Sequence, residues 1–504
     1  MGSIFGLGSL NTSAGVEKLV ALKGRHFWVW NSGTSAWDLQ AKPYGRYLTN
    51  NLKTYHVEFL DNQFWVNGTD DNRTYDGSTW SITRNVENSP RGKYPLLFGP
   101  RIYLANIKFT VGPTTLSFPS RVAYSDGVEQ DENGNYRIKW GFESGTDLTT
   151  VAGSAVVNST GSTPAAFKRM GIEAGDPFYI ISGTNAKKYT VSSVDSETQI
   201  TLTESVTNSG TNQSYWVSNN FGEIKTSDSD VLMGIAENSD KILAFKQNSL
   251  YRCTEKFLSV VKVKGVPGTT SFDSVINLRD FTFYFHSTGV WRYNGVTAEL
   301  ISEPIWDVIE GIASTAYDDV VAWSDGARYV KFFVGDISAN LKTNLPAISK
   351  CVLIYDVTMD NWSLGSFEKT FVNSTPWVES SAPKIYAGAS DGHVYQLETG
   401  TDFDTAPIPF RLIDQVRYPI SKEVTVKGER IELFQQLGKK LQVQYRRIRQ
   451  PHPDDERPTP ITKAFQQDRA DFRGIQIEMD ESSTDPSFLF EGVTIFNTGG
   501  KFDK

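Results

Sequence analysis

Few stretches of this 504-residue sequence combine residue types and spacing suited to chemistry. Gly388-Ala389-Ser390-Asp391-Gly392 matches the Gly-x-Ser-x-Gly pattern of a nucleophile elbow, which requires a strained strand-to-helix turn. The residues that follow, His393-Val394-Tyr395-Gln396-Leu397, alternate as a strand does, so a hairpin turn is predicted there. Five histidines, His26, His56, His286, His393 and His452, are scattered through the chain, none paired with another at metal-ligand spacing. Carboxylate-rich turns at Asp70-Asp71-Asn72 and Asp131-Glu132-Asn133-Gly134-Asn135 offer hard oxygen ligands, yet the distal glutamate of a calcium loop is missing and solvated turns fit better. A phosphate-cradling Gly-x-x-x-x-Gly-Lys-Ser/Thr loop, a His-Glu-x-x-His helix and a Cys-x-x-Cys pair are all absent from the sequence. The two cysteines, Cys253 and Cys351, read as isolated core residues. No cofactor, metal or catalytic residue is expected.

One basic cluster stands out. Lys427 to Arg473 holds 11 Lys+Arg against 7 Asp+Glu, in a chain whose net charge is −8. Within it, Arg446, Arg447 and Arg449 make either a phosphate-facing stripe or a charged strand face that pairs with carboxylates of a neighbouring subunit. The acidic balance of the whole chain favours the second and argues against a surface that clamps nucleic acid throughout.

The elements that position these residues are strands. Aromatics reach 12% (12 Trp, 21 Tyr and 30 Phe), while 41 Gly and 21 Pro supply turns. An imperfect repeat runs through the chain, a short strand ending in an aromatic, a turn of Asp, Asn, Gly, Ser or Thr, then a second strand. Phe27 to Trp37, Thr74 to Ser81, Val290 to Thr297, Leu353 to Ser363 and Asp391 to Leu397 are copies, and a tyrosine before Asp or Asn recurs. Leu232 to Ile235, Ile242 to Phe245, Phe281 to Phe285 and Val320 to Trp323 read as the inner strands. Short antiparallel sheets of this kind bury both faces by stacking side by side, as blades of a β-propeller. A pair of β-sandwiches is the alternative architecture.

The predicted fold is all-β: a propeller of six or seven blades with an inserted small β-domain and a C-terminal β-sandwich. Its expected boundaries are an N-terminal arm over 1–19, the propeller over 20–140 and 221–403, the insert over 141–220 and the sandwich-like domain over 404–504. The insert is marked by its Ser/Thr/Gly/Asn-rich composition and by the clean alternation of Thr198-Gln199-Ile200-Thr201-Leu202-Thr203. Neither an export signal nor a membrane span is predicted, since no run of 18 apolar residues occurs.

The segment Gly175-Asp176-Pro177-Phe178-Tyr179-Ile180 through Tyr189 to Val194 and Thr198 to Thr203 resembles small β-modules of phage tail proteins. Arg121 to Asp126, Phe245 to Arg252 and Gly289 to Ile305 resemble stretches of phage propeller proteins. The order of propeller and C-terminal β-domain is similar to that of tail nozzle and packaged-DNA stabilisation proteins of short-tailed phages. That resemblance implies a closed ring of this chain with itself, sixfold in the family, extending the DNA channel below the portal and adaptor. It also implies a location in the virion tail after synthesis in the host cytoplasm, contacts with other tail proteins and fibres, and genome DNA passing non-specifically through the lumen. The 80-residue insert departs from the family pattern. Two further functions compete: a fibre or receptor-binding module recognising host glycan, and a propeller glycosidase, which needs two carboxylates about 5 to 9.5 Å apart in a cleft.

Overall fold

The computed structural model describes residues 2–40, 48–81, 90–130, 136–162, 164–225, 228–339, 347–379 and 382–397, and beyond them strand backbones between Asp402 and Asn497. Strands β1 (Ile4–Asn11), β2 (Glu17–Lys23), β3 (His26–Asn31) and β4 (Ala36–Leu39) form blade 1. Blade 2 comprises β5 (Tyr55–Phe59), β6 (Asn62–Val66), β7 (Arg73–Tyr75) and β8 (Trp80–Ser81). Blade 3 begins with β9 (Arg91–Phe98), β10 (Arg101–Val111) and β11 (Thr114–Tyr124). The chain then leaves it for a hairpin, β12 (Gly127–Gln130) and β13 (Tyr136–Lys139), and a closed six-stranded barrel. The barrel strands are β14 (Phe142–Thr150), β15 (Val156–Ser159), β16 (Pro177–Ile180), β17 (Lys187–Val194), β18 (Gln199–Leu202) and β19 (Gly210–Ser218). Strand β20 (Phe221–Glu223) returns to complete blade 3.

Blade 4 is β21 (Leu232–Asn238), β22 (Lys241–Lys246), β23 (Leu250–Cys253) and β24 (Val260–Lys262); blade 5 is β25 (Ile276–Leu278), β26 (Phe281–His286), β27 (Gly289–Tyr293) and β28 (Ala298–Leu300). Blade 6 is β29 (Val321–Ser324), β30 (Tyr329–Ile337), β31 (Ile348–Asp356) and β32 (Asn361–Ser366), and blade 7 is β33 (Phe371–Glu379), β34 (Ala382–Ala389) and β35 (Val394–Leu397). The first strands of successive blades neighbour one another in chain order, except that the turn Phe272–Ser274 makes the contact between β21 and blade 5, and β33 returns to β1, so seven blades close a ring. Beyond blade 7 lie the short hairpin β36 (Asp402–Phe403) and β37 (Ala406–Pro407), then β38 (Phe410–Ile413), β39 (Val426–Gln435), β40 (Gln442–Ile448), β41 (Arg457–Ile461), β42 (Phe465–Ala470), β43 (Gly474–Glu481) and β44 (Phe490–Asn497). Those from β38 onward form two antiparallel sheets, ordered β38-β43-β40-β41 and β42-β39-β44. No helix among the described residues is long and apolar enough to cross a membrane.

Two boundaries differ from the sequence expectation. Residues 1–19 are not a separate arm: Ile4–Asn11 is the innermost strand of blade 1, and Leu10 and Leu19 are fully buried. The excursion from blade 3 starts at Ser125, not at 141, because β11 ends at Tyr124 and the hairpin precedes the barrel.

Stacking gives each seam between neighbouring blades its own apolar cluster. Leu10, Leu22 and Phe27 meet Trp65 and Tyr75 between blades 1 and 2. Phe283 and Phe285 meet Val330 and Phe332 between blades 5 and 6. Each such side chain contributes roughly 1.5–3 kcal/mol on burial, which is why short sheets suffice. The ring closes between blades 7 and 1 by packing and not by a shared sheet. Ile4, Leu7, Leu19 and Ala21 enclose Trp377, Asn373 Nδ2 donates to Ile4 O at 3.0 Å, and Lys23 Nζ donates to Gly392 O at 2.8 Å.

The recurring Tyr-Asx pair is a turn clasp. The Asn294 side-chain oxygen accepts the N–H groups of Val296 (3.1 Å) and Thr297 (3.0 Å), while Tyr293 OH donates to Gly295 O at 2.7 Å. Asp76 accepts from Ser78 (2.8 Å) and Thr79 (2.6 Å) in the same way, with Tyr75 OH on Gly77 O at 2.9 Å. Side-chain capping fixes the turn locally, so the hairpin is encoded by four or five residues. Tyr293→Phe is expected to cost about 1 kcal/mol, read as a lower denaturant midpoint at unchanged slope.

Candidate functional site

The strongest polar constellation lies at the propeller axis, on the face where one blade passes to the next. Lys53, in the link from blade 1 to blade 2, places Nζ 2.9 Å from Asp273 Oδ2 and 3.4 Å from Asp319 Oδ1, and donates to Asp318 O at 3.3 Å. Asp273 belongs to the link between blades 4 and 5, and Asp318 and Asp319 to the link between blades 5 and 6. In a seven-membered ring these links stand across the axis from Lys53, so the ion pair spans the opening. Tyr55 OH donates to the same Asp273 oxygen at 3.3 Å, and the Tyr55 and Tyr94 rings pack edgewise and obliquely on Phe272.

The electrostatics follow from low exposure, the side chains of Lys53 and Asp273 being 22% and 9% exposed. Desolvation disfavours the Lys53 ammonium, but Asp273 and Asp319 outweigh it and hold the group above the ordinary lysine value. Desolvation, then Asp273 and Tyr94, push Tyr55 well above the usual phenol range. Lys93 is lowered by desolvation and by the neighbouring Lys53. One oxygen of Asp273, Oδ2, therefore serves both Lys53 and Tyr55. This geometry braces the disc and closes its axis to a wide ligand.

A second internal pair, unmarked in the sequence, ties the blade 3 to 4 link to blade 4. The Lys246 side chain is fully buried, with Nζ 2.5 Å from Asp228 Oδ1 and 2.7 Å from Lys225 O.

The residues singled out from sequence are dispersed. His56 stacks on Trp65 with ring centroids 4.8 Å apart, and desolvation lowers its pKa to about 4. His286 is buried against Thr288 Oγ1 at 2.8 Å, His393 lies beside Asp391 in an exposed turn, and His26 is in β3. Ser390 sits in the hairpin turn between β34 and β35, its N–H on Thr370 O at 2.9 Å. Asp70 accepts from Thr49 N (2.8 Å) and Oγ1 (2.7 Å), and Asp71 pairs with Arg91 at 2.7 Å, so both carboxylates serve protein donors. Among the described residues no group of three or more His, Cys, Asp or Glu is arranged to hold a metal ion. Arg446 and Arg447 occupy consecutive positions of β40, in register with Gln476 and Pro458 and with Ile475 and Arg457 respectively. Arg449, His452 and the Asp131 to Asn135 turn lie outside the described residues.

Cys253 and Cys351 are buried, and burial raises each thiol to about 12. At pH 8 the thiolate fraction is then on the order of 10⁻⁴. Neither thiol is expected to react with a maleimide in the native protein, and both are expected to react after unfolding in guanidinium; mass spectrometry counts the adducts.

Two units are added to the disc, at different blades. The barrel interrupts blade 3 between its third and fourth strands, and the C-terminal sheets follow the third strand of blade 7. In a ring of seven these blades are nearly opposite. The barrel has its own core, with Leu148, Phe167, Phe178, Ile200 and Tyr215 fully buried. It also packs on the rim, where Phe142 and Trp216 meet Phe109 of blade 3 at 4.8 and 5.3 Å.

No known family model and no curated protein matches the chain. Among solved structures, it is similar to the computationally designed Ika8 protein at 8% identity and TM-score 0.38, over 78% of this chain and 96% of that one. It is similar to the phage phi92 endosialidase at 9% identity and TM-score 0.22, over 81% of this chain and 53% of that one. YCF48 from Cyanidioschyzon merolae aligns at 10% identity and TM-score 0.28, over 78% and 95%. At these values nothing those proteins do is carried over to this chain.

Proposed function

We propose that the chain is a structural subunit of a phage tail, a nozzle or hub piece that assembles with copies of itself into a closed ring through whose lumen the genome passes. The observation that carries this reading is the placement of the barrel and the C-terminal sheets at nearly opposite blades of a braced disc. A closed ring of identical subunits uses heterologous contacts, in which two different surfaces of one subunit meet those of its two neighbours. Two dissimilar units on opposite edges are suited to that. The lumen lies between subunits, since Lys53 and Asp273 cross the propeller's own axis. A net charge of −8 gives a wall that repels DNA phosphates and does not slow their passage. Portal, adaptor and fibre proteins are the partners this role requires, with the Arg446, Arg447 and Arg449 segment serving a contact between subunits.

Replacing 125–220 by a short turn tests the reading. Tyr124 N already donates to Asn220 O at 2.9 Å and Ala123 pairs with Phe221, so the ends meet without strain. Loss of tailed particles is expected. Intact particles that fail only to adsorb would make the barrel a recognition module instead, and new reducing ends on incubation with cell-surface polysaccharide would make the chain a glycosidase.

A further inference from the structure

The joint between barrel and propeller concentrates more unfavourable polar burial than its structural role needs. Entering and leaving chains cross there: Tyr124 OH donates to Asn219 O at 3.4 Å, and a Cβ on Gly141, whose φ is +52°, would lie 2.5 Å from Asn220 Nδ2. Asn220 Nδ2 and Trp140 Nε1 are buried without a hydrogen-bond partner among the described residues. Into this crossing the barrel inserts Asp176, 3% exposed, which accepts the Glu173 N–H at 2.8 Å and a hydrogen bond from the Asn219 side chain. The charged groups around it are mostly of its own sign. Glu173 lies on its own loop and Asp126 on the entering chain; Arg101 of β10 is 3.7 Å from Asp126 and is shared with Glu255 at 3.0 Å. Tyr124 completes the surround.

We propose that this joint is an acid-tightened clasp: proton uptake by Asp176 turns a repulsive buried carboxylate into a neutral hydrogen-bonded group and fixes the barrel on blade 3, whereas at neutral pH the joint opens more readily. Desolvation first, and Glu173 and Asp126 after it, raise Asp176 from 3.8 to about 6. The sign follows. A carboxyl that binds its proton more tightly when docked than when released strengthens docking fully below the released value near 3.8, and this contribution is lost as pH rises through the docked value near 6. Between pH 8 and pH 5 the closing constant should rise about tenfold.

Hydrogen exchange of the full chain tests this through the joint amide of Tyr124, after correction for the intrinsic pH dependence of exchange. The expected result is protection about tenfold greater at pH 5 than at pH 8 in the wild type, with pH-independent protection in Asp176→Asn and unchanged protection of the barrel strand Phe142–Thr150. Equal protection of the wild-type joint at the two pH values would overturn the proposal, as would the same tenfold rise in Asp176→Asn. If that variant does not fold, the wild-type comparison alone decides.

Discussion

Gly268→Ala is expected to destabilise the propeller by about 4 kcal/mol or more, at the upper end for a single substitution, because nothing around the added methyl group is free to yield. A Cβ at Gly268 would lie 1.6 Å from Lys246 O and 2.8 Å from Ser249 O, both backbone atoms of blade 4. Relief therefore requires moving the link between blades 4 and 5 away from β22. That link is held by Thr269 N on Lys246 O at 3.1 Å and by Thr269 Oγ1 on Ser271 O and Phe285 O, each at 2.8 Å. Displacement breaks these bonds and leaves buried groups unpaired, adding about 1–3 kcal/mol for each. Gly265→Ala is the control. It lies three positions earlier at φ +71° with open space around it, so only the left-handed backbone penalty of roughly 1 kcal/mol applies. Paired denaturation curves separate a close approach from a conformational preference.

Lys53→Met should cost about 2–3 kcal/mol by stranding Asp273 at the axis without its cation, a figure below that of a fully buried pair because Lys53 is 22% exposed. The double variant Lys53→Met/Asp273→Leu is expected to recover at least about 1 kcal/mol relative to the sum of the single losses, since it removes the uncompensated charge as well as the pair. The pH dependence has a definite sign. The folded ammonium binds its proton more tightly than the unfolded one at 10.5, so the bridge contributes fully below that value and loses its contribution only as pH climbs through the raised folded value. The difference in stability between wild type and Lys53→Met should accordingly be flat from pH 7 to about 10.

What the sequence discloses of this fold is what four or five consecutive residues determine. Tyr293-Asn294-Gly295 closes a hairpin with its own side chains, and Thr74 to Ser81 does so again, so strand pairs and a six- or seven-blade propeller are readable from turn chemistry. Long-range approach is not readable that way. Lys53 and Asp273 stand 220 positions apart and neither belongs to a motif, so the axial brace has no local signature. Gly6 and Gly8 make the start of the chain look like a loose arm. They are glycines because a Cβ there would meet Thr54 O at 2.9 Å and the His56 ring at 2.6 Å, the close approach that packs β1 against blade 2. The barrel is readable as β-rich but not as closed, since closure depends on β14 pairing with β19 across the whole insert. Arg446 and Arg447 illustrate the converse: three arginines within four residues attract notice in a sequence, yet adjacent strand positions alternate between the two faces of a sheet.

A ring-forming building block has a definite signature in solution. The mass of the purified, full-length protein at tens of micromolar measures it most directly. The expected result is one discrete species at a multiple of 56.2 kDa greater than two. A single 56.2 kDa species at every concentration would contradict it.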